Sequence, residues 1–209
     1  MPRKPAAPED LSAKKALALE VIARLKKEYP DAACTLDYDH AWQLLVSVRL
    51  AAQCTDARVN IVVEDLFAKY PSVAALAAAE PEEIEAIVKP CGLGHSKARD
   101  ISACMRMLRD KYDCKVPTTF EELLSLPGVG RKSANLIMGD VFGKPAIVTD
   151  THCIRLCNKI GLVDGIKEPQ KVEMALWKII PPEEGSDLCH RFVMHGRACL
   201  LYTSDAADD

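Results

Sequence analysis

The chain has few aromatic residues, no long apolar run and little net charge. Phe, Trp and Tyr make up only 5% of its 209 residues, whereas 49% are hydrophobic and alanine and leucine are abundant. This composition is typical of helical proteins and argues against a β-sandwich or barrel. The N-terminus, Met1-Pro2-Arg3-Lys4-Pro5, lacks the apolar core of a signal peptide. We therefore expect no membrane association and a cytoplasmic location.

The net charge of −3 is unusual for a nucleic-acid-binding protein, but the acidic excess lies in one segment. Residues 199–209 hold three of the 30 acidic residues and none of the 27 basic ones, so the remainder is formally neutral. This segment breaks the helical pattern and resembles an in-frame translation of a sequencing adapter. We expect a non-native tail over 199–209 that truncates the natural protein after Ala198. A disordered acidic terminus is the alternative.

Hydrophobic periodicity predicts an all-α fold, with no segment that alternates as a sheet strand does. Thr55 and Thr119 suit helix N-caps, and Pro81 suits the first turn of a helix. The predicted helices are 11–29, 40–53, 55–70, one that starts at Pro81 and ends by Gly92, 96–112, 119–124, 131–142, 151–160, 169–180 and 186–197.

The segment from Leu126 to Ala134 carries the strongest chemical signal. Leu126-Pro127-Gly128 predicts a tight turn, with proline and then glycine at its two central positions. Gly130 leaves the N–H groups of the next helix open, and a helix N-terminus attracts anions. Lys132 follows in the first turn, and a deprotonated lysine amine can attack an electrophilic carbon. The segment predicts a nucleophile beside a phosphate-binding loop.

Two further segments extend this signal. Val148-Thr149-Asp150-Thr151-His152 supplies a carboxylate downstream of the lysine. Gly92-Leu93-Gly94-His95-Ser96-Lys97-Ala98 echoes Gly128 to Ala134, since both place a Gly-x-Gly turn before a helix. Two related loops that approach DNA would explain the echo, and coincidence would explain it equally well.

These segments together resemble the endonuclease III family of helix-hairpin-helix DNA glycosylases. Leu126–Ala134 is similar to the hairpin of that family, and Val148–His152 to its catalytic-aspartate motif. Leu50–Asp56, Cys91–Ala98 and Met194–Arg197 match in the expected order, so the resemblance spans about Leu11 to Ala198. It implies two helical lobes with a DNA-binding cleft between them. Residues 34–144 would form a six-helix barrel lobe with the hairpin, and 1–33 with 145–198 the second lobe.

The resemblance implies a base-excision-repair glycosylase with abasic-site lyase activity on oxidised pyrimidines in duplex DNA. Lys132 would attack C1′ of the flipped nucleotide, expel the base and form a Schiff base, and β-elimination would cut the strand 3′ to the abasic site. Asp150 would stabilise the cationic sugar and help to deprotonate the lysine. From the residues alone, the alternative is a solvated helix lysine at Lys132 and a helix N-cap at Asp150. The neighbours of Lys132 favour the catalytic role, and Asp150 could both cap a helix and take part in catalysis.

The resemblance also implies DNA contacts. Gly128, Val129 and Gly130 would hold a phosphate through main-chain N–H groups, although the same glycines would permit a plain helical corner. Gln53 would fill the gap left by the flipped base, and Leu93 would separate neighbouring bases. Gln53 could instead simply end a helix, and Leu93 could belong to the core. Arg131, Lys97 and Arg155 are candidate phosphate contacts, or solvated residues on helix faces.

The nine cysteines test the resemblance, because members of this family carry a [4Fe-4S] cluster. Its four cysteine ligands have the spacing C-x6-C-x2-C-x5-C and begin soon after His-Gly-Arg. Here Cys199 follows Arg197 one residue too early, and no cysteine comes later. We therefore expect no metal site in this chain, although the full-length protein would hold the cluster. The odd count and lack of a signal peptide favour reduced thiols.

Three functions stay open from the sequence. The first is the bifunctional glycosylase and lyase described above, acting as a monomer at the nucleoid. The second is a monofunctional glycosylase of the same superfamily, such as the adenine-specific branch, whose members lack a lysine at the position of Lys132. The third is a non-enzymatic helix-hairpin-helix DNA-binding module, which gives no reason for Lys132 and Asp150 to occur together.

Overall fold

A computed structural model describes the main chain of residues 8–205 and the side chains of residues 11–198. The described residues form α-helices and two short 3-10 segments, with no strand, which confirms the all-α prediction. Among these helices, none combines the length and the apolar character needed to span a bilayer. The helices are α1 (Pro8–Glu28), α2 (Ala41–Leu50), α3 (Asp56–Lys69), α4 (Val73–Ala78), α5 (Pro81–Val88), α6 (Gly94–Lys111), α7 (Phe120–Ser125), α8 (Arg131–Asp140), α9 (Thr151–Ile160), α10 (Pro169–Leu176) and α11 (Gly185–Asp205).

The chain divides into two compact units. One unit is Cys34–Phe142 and contains α2 to α8, whereas the other combines the described residues up to Ala33 with those from Gly143 onward. The first unit is built around an apolar core, and each of its helices, α2 to α8, contributes aliphatic side chains to it. Its largest fully buried aliphatic residues are Leu44, Leu50, Leu66, Leu76, Ile84, Ile101, Met105, Leu108, Leu123 and Ile137.

The second unit packs α11 against α9 and α1. Two glycines allow these close approaches. A Cβ on Gly185 would collide with the carbonyl oxygen of Ala146, and a Cβ on Gly196 would collide with the ring of His152. The stretch from Ala146 to Thr149, which precedes α9, is buried.

The structure corrects several predicted helix limits. Helix α2 ends at Leu50 rather than at residue 53, because Ala51–Cys54 forms a turn closed by the Cys54 N–H and the Ala51 carbonyl at 3.1 Å. Helix α4 was not predicted; the Ser72 side chain caps it by accepting from the Ala75 N–H. Helices α8 and α10 end earlier than predicted, at Asp140 and Leu176.

The C-terminal helix also differs from the prediction. Helix α11 starts at Gly185 and continues to Asp205, whereas the sequence pattern placed its end at residue 197. The side chains of the expected tail, 199–209, lie outside the described residues, as does the main chain of 206–209.

Candidate active site

The hairpin between α7 and α8 presents Lys132 at the protein surface. Gly128 has φ of +76°, and the Val129 N–H bonds to the Leu126 carbonyl at 3.1 Å, as in a type II turn. Helix α8 starts at Arg131 with Gly130 as N-cap, and no side chain caps its first turn in the described residues. Lys132, the second helical residue, is exposed, whereas Ala134 and Ile137 of the same helix are buried. The open N–H groups and the exposed amine therefore lie on one short segment.

The hairpin rests on an ion pair between α2 and α6. The Arg49 Nε donates to Asp100 Oδ2 at 2.7 Å, and a second Arg49 nitrogen lies 2.6 Å from the same oxygen. A Cβ on Gly128 would lie 2.9 Å from the Asp100 Cβ and 3.1 Å from the Arg49 Cδ, so only glycine fits here. The ion pair thus sets how closely the hairpin approaches α2 and α6.

Arg131 lies beside the hairpin and contacts an aromatic ring. Its guanidinium carbon is 4.9 Å from the centre of the Phe120 ring, within the range of a cation–π contact. This contact orients the side chain at the start of α8 while leaving it half-exposed.

Gln53 and Leu93 both occupy exposed turns with left-handed main-chain conformation. Gln53 has φ of +58° in the turn after α2, and Leu93 has φ of +52° as the N-cap of α6. Leu93 is 57% exposed, so it does not belong to the core. A non-glycine residue in this conformation carries a strain cost that surrounding structure must offset, and such residues cluster at functional sites.

Asp150 caps a helix, as one reading of the sequence predicted. Its Oδ1 accepts from the Cys153 N–H at 2.7 Å at the start of α9, and the carboxylate is half-buried. The stretch before it is held by the Val148 N–H, which donates to the Cys189 Sγ at 3.2 Å. The Gly196 contact with His152 brings α11 against the turn that holds Asp150. The cap leaves the second carboxylate oxygen available for chemistry.

Two candidate phosphate contacts have protein partners instead. Lys97 is completely buried, and its Nζ donates to the carbonyls of Leu50 and Cys91 at 2.8 Å each, so its prediction as a surface contact is wrong. An Arg155 guanidinium nitrogen donates to the Gly196 carbonyl at 3.1 Å. Lys97 lies four residues before Ile101, on the apolar stripe of α6, and this spacing was a signal of its burial.

The described cysteines do not fit an iron–sulfur cluster. All eight are free, and no group of three potential ligand residues in this part of the chain could hold a metal ion. The thiols of Cys153 and Cys157 lie 3.9 Å apart. Hydrogen bonding to Cys157 raises the pKa of the buried Cys153 thiol, and hydrogen bonding to Cys153 raises that of Cys189. Such neutral thiols are poor metal ligands.

Residues 46–182 match the model of the HhH-GPD superfamily of base excision DNA repair proteins. The chain belongs to this superfamily. It is 42% identical to "Endonuclease III" from Synechocystis sp. over 90% of this chain and 86% of that protein. These findings confirm the resemblance noted in the sequence and make the chain a base excision repair DNA glycosylase rather than a non-enzymatic module.

Two solved structures are also similar to the chain. One is described as "Structure of a non-covalent Endonuclease III-DNA Complex", with 42% identity and a TM-score of 0.84 over 88% of this chain and 86% of that one. The other, "Structure of a Trapped Endonuclease III-DNA Covalent Intermediate: Estranged-Adenine Complex", shares 41% identity at the same TM-score and coverage.

Proposed function

We propose that the chain removes oxidised pyrimidines from duplex DNA and then cleaves the strand at the abasic site through a Schiff base on Lys132. The observation that carries this proposal is the exposed amine at the second residue of α8, directly after a turn whose N-cap, Gly130, has no side chain to cap the helix. The trapped covalent intermediate between a 41%-identical endonuclease III and DNA supports attack by a protein nucleophile. The complex of a 42%-identical endonuclease III with DNA supports double-stranded DNA as the partner.

The proposed reaction starts with attack of the Lys132 Nζ on C1′ of a flipped nucleotide. The glycosidic bond breaks, and the base leaves with the bonding electrons and takes up a proton. The sugar ring opens to an iminium ion, which acidifies the 2′ carbon. Loss of a 2′ proton and departure of the 3′ phosphate then cleave the strand, and water releases the lysine. A monofunctional glycosylase would need no such amine.

Asp150 is proposed to stabilise the positive charge that develops on the sugar. Because its Oδ1 is engaged by the Cys153 N–H, the carboxylate has a fixed orientation. A preoriented charge of this kind needs little rearrangement during the reaction. The role as N-cap and the role in chemistry are therefore compatible.

Gly128, Val129, Gly130 and Arg131 are proposed to bind one phosphate of the damaged strand. The uncapped N–H groups at the start of α8 and the guanidinium of Arg131 supply the donors. Gln53 and Leu93 are proposed to enter the base stack, a role supported by their exposed, strained turns. These contacts position the enzyme on DNA without reading sequence.

The lobe boundaries, the location and the oligomeric state are also proposals. The compact units divided at Ala33 and Gly143 support lobes of 34–144 and of 1–33 with 145–198. A monomer at the nucleoid, in the cytoplasm, suits an enzyme that scans chromosomal DNA. The [4Fe-4S] cluster stays outside this mechanism, because the described thiols do not form its ligand set.

Borohydride trapping tests the role of Lys132. Borohydride reduces the imine to a stable amine, so the wild type is expected to form a covalent adduct with duplex DNA that contains an abasic site. Lys132→Gln is expected to form none, whereas Lys111→Gln, at an exposed position on α6, should react as the wild type does. An undiminished adduct in Lys132→Gln would assign the nucleophile to another residue.

Two substitutions separate the roles of Asp150. Asp150→Asn keeps an oxygen for the Cys153 N–H but removes the charge, so we expect base release to slow by about 10²–10³-fold with little change in melting temperature. Asp150→Ala also removes the cap and should cost about 1 kcal/mol of folding free energy in urea titrations. Equal activity of wild type and Asp150→Asn would reduce Asp150 to a structural cap.

A further inference from the structure

The turns that hold Gln53 and Leu93 are joined by one buried lysine. The Lys97 Nζ donates to the carbonyl of Leu50, three residues before Gln53, and to that of Cys91, two residues before Leu93. The main-chain N–H of Lys97 donates in addition to the Leu93 carbonyl at 3.0 Å. Three hydrogen bonds from this single residue therefore hold the main chain next to both turns.

The two carbonyls suit a buried cation. Leu50 is the last residue of α2, and Cys91 is the last residue of a 3-10 segment, Lys89–Cys91. Carbonyls at helix C-termini lack partners within the helix and carry the negative end of the helix dipole. The Lys97 ammonium supplies a hydrogen-bond donor to the last carbonyl of each helix.

Burial of this ammonium carries a cost that a purely structural residue would avoid. Lys97 has no exposed surface, and burial lowers the pKa of its side chain. Its side-chain partners are main-chain carbonyls rather than carboxylates, so desolvation is offset by hydrogen bonds alone. An apolar residue of similar volume would fill the space without this cost. What such a residue could not do is bond the two turns to each other.

The turns also need an external constraint. Among the described residues, only Gln53, Leu93, Asp113 and Cys114 combine a side chain with positive φ. This conformation persists only where the surroundings enforce it. Lys97 bonds the main chain within three residues of the first and within two residues of the second, so it is placed to enforce both.

We propose that Lys97 is a positioning residue that holds the Gln53 and Leu93 turns at a fixed separation, so that both side chains enter one base step of the DNA together. The inference rests on the proposed function, which assigns these side chains to the gap left by a flipped base and to the bases beside it. Insertion at a single step requires the two turns to keep their spacing in free protein, because a misplacement near 1 Å is enough to impair the fit.

Fluorescence from 2-aminopurine, placed opposite a stable abasic-site analogue, reports on insertion directly, since the probe brightens when its stacking is lost. Lys97→Met keeps the side-chain volume but removes the donors. We expect it to reduce the fluorescence response at saturating enzyme and to raise the KM for damaged DNA by about tenfold or more, with a smaller change in single-turnover rate at saturation. Lys97→Gln keeps shorter donors and should fall between Lys97→Met and the wild type.

A double-variant cycle separates positioning from general stability. If Lys97 acts through Leu93, adding Lys97→Met to Leu93→Ala should worsen KM by less than about twofold beyond the more impaired single variant. Leu76→Ala, in the core of α4, controls for lost stability and should leave the fluorescence response unchanged. Multiplicative effects in the cycle, a normal response in Lys97→Met, or failure of both Lys97 variants to fold would overturn the proposal.

The wild-type protein distinguishes this proposal from the one on which it rests. If wild type forms no borohydride adduct, the lyase function fails. If it forms the adduct and the cycle is multiplicative, only the positioning role of Lys97 fails.

Discussion

The two Gly-x-Gly turns of this protein have similar sequences but use their lysines in opposite ways. Gly92-Leu93-Gly94 leads into α6, which starts at Gly94, and Gly128-Val129-Gly130 ends just before α8. The first glycine of each has positive φ, +71° and +76°. Yet Lys97 is completely buried, whereas Lys132 is exposed. One turn is followed by the proposed positioning lysine and the other by the proposed nucleophile.

Helical register explains the difference. Helix α6 has Leu93 as N-cap and Lys97 at the fourth helical position, whereas α8 has Gly130 as N-cap and Lys132 at the second. Two positions correspond to about 200° around a helix, so the lysines point to nearly opposite sides relative to the start of their helices. A shift of two residues therefore decides whether the amine meets main-chain carbonyls or solvent.

The middle residues differ as well. Leu93 is exposed, whereas Val129 is half-buried and packs against the core of its unit. The first glycines differ in their surroundings, since a Cβ on Gly92 would meet no atom within 4 Å, while one on Gly128 would press on Asp100 and Arg49. The turn before α6 presents a side chain, and the turn before α8 presents main-chain N–H groups close to the protein body.

Moving each lysine by one residue is the strongest test of the register argument. The double substitution Lys132→Ser with Ser133→Lys keeps the composition but rotates the amine by about 100°. We expect the borohydride adduct to fall by more than about 100-fold, because the amine no longer meets C1′, while folding free energy changes by less than about 1 kcal/mol. Adduct yield and urea midpoints measure the two effects.

The same exchange in α6 is the matched control. Ser96→Lys with Lys97→Ser leaves the carbonyls of Leu50 and Cys91 without their buried donor, so we expect a loss of about 2–4 kcal/mol in folding free energy. If the α6 exchange were neutral for stability, or the α8 exchange neutral for trapping, register would not explain the contrast between the lysines.

The sequence predicted the helices better than it predicted burial. Helices longer than two turns showed clear periodicity, whereas the six residues of α4 are too few to display it. The stripe of Ile101, Met105 and Leu108 extends back to Lys97, so its burial was encoded in the spacing, although a charged residue is rarely assigned to a core. The left-handed turn at Gln53 carries no local signal, because glutamine does not favour that conformation.

Contacts between distant segments lay beyond sequence reasoning. The fit of Gly196 against His152 joins two motifs that the sequence had identified separately, but their contact depends on how α11 packs on α9. The same holds for Gly128 and the Arg49–Asp100 ion pair. In both cases a neighbouring segment leaves no room for a Cβ at the glycine, and that segment is distant in sequence.

Alanine at the two first glycines should show how the turns differ. Gly92→Ala meets open space and should cost only the strain of its φ, about 1–2 kcal/mol. Gly128→Ala adds steric clashes with Asp100 and Arg49, so we expect a total loss of about 2–4 kcal/mol in folding free energy and weaker DNA binding. Urea denaturation measures the loss of folding free energy in each variant. A smaller loss for Gly128→Ala than for Gly92→Ala would show that the hairpin moves away from Asp100 and Arg49 at little cost.

The smallest expected effect comes from replacing Gln53 by glycine. This change should raise folding stability but impair the repair of damaged DNA. Gln53→Gly relieves the left-handed strain, so we expect a gain of up to about 1 kcal/mol in stability, reduced by the added freedom of the unfolded chain. Gln53→Ala keeps the strain and should gain no folding stability.

Both variants lose the side chain proposed to fill the gap in DNA, so both should raise the KM for damaged DNA. A stability gain for glycine alone, with similar KM for both, would separate main-chain strain from side-chain function. Equal stability of the two variants would mean that the turn carries no strain.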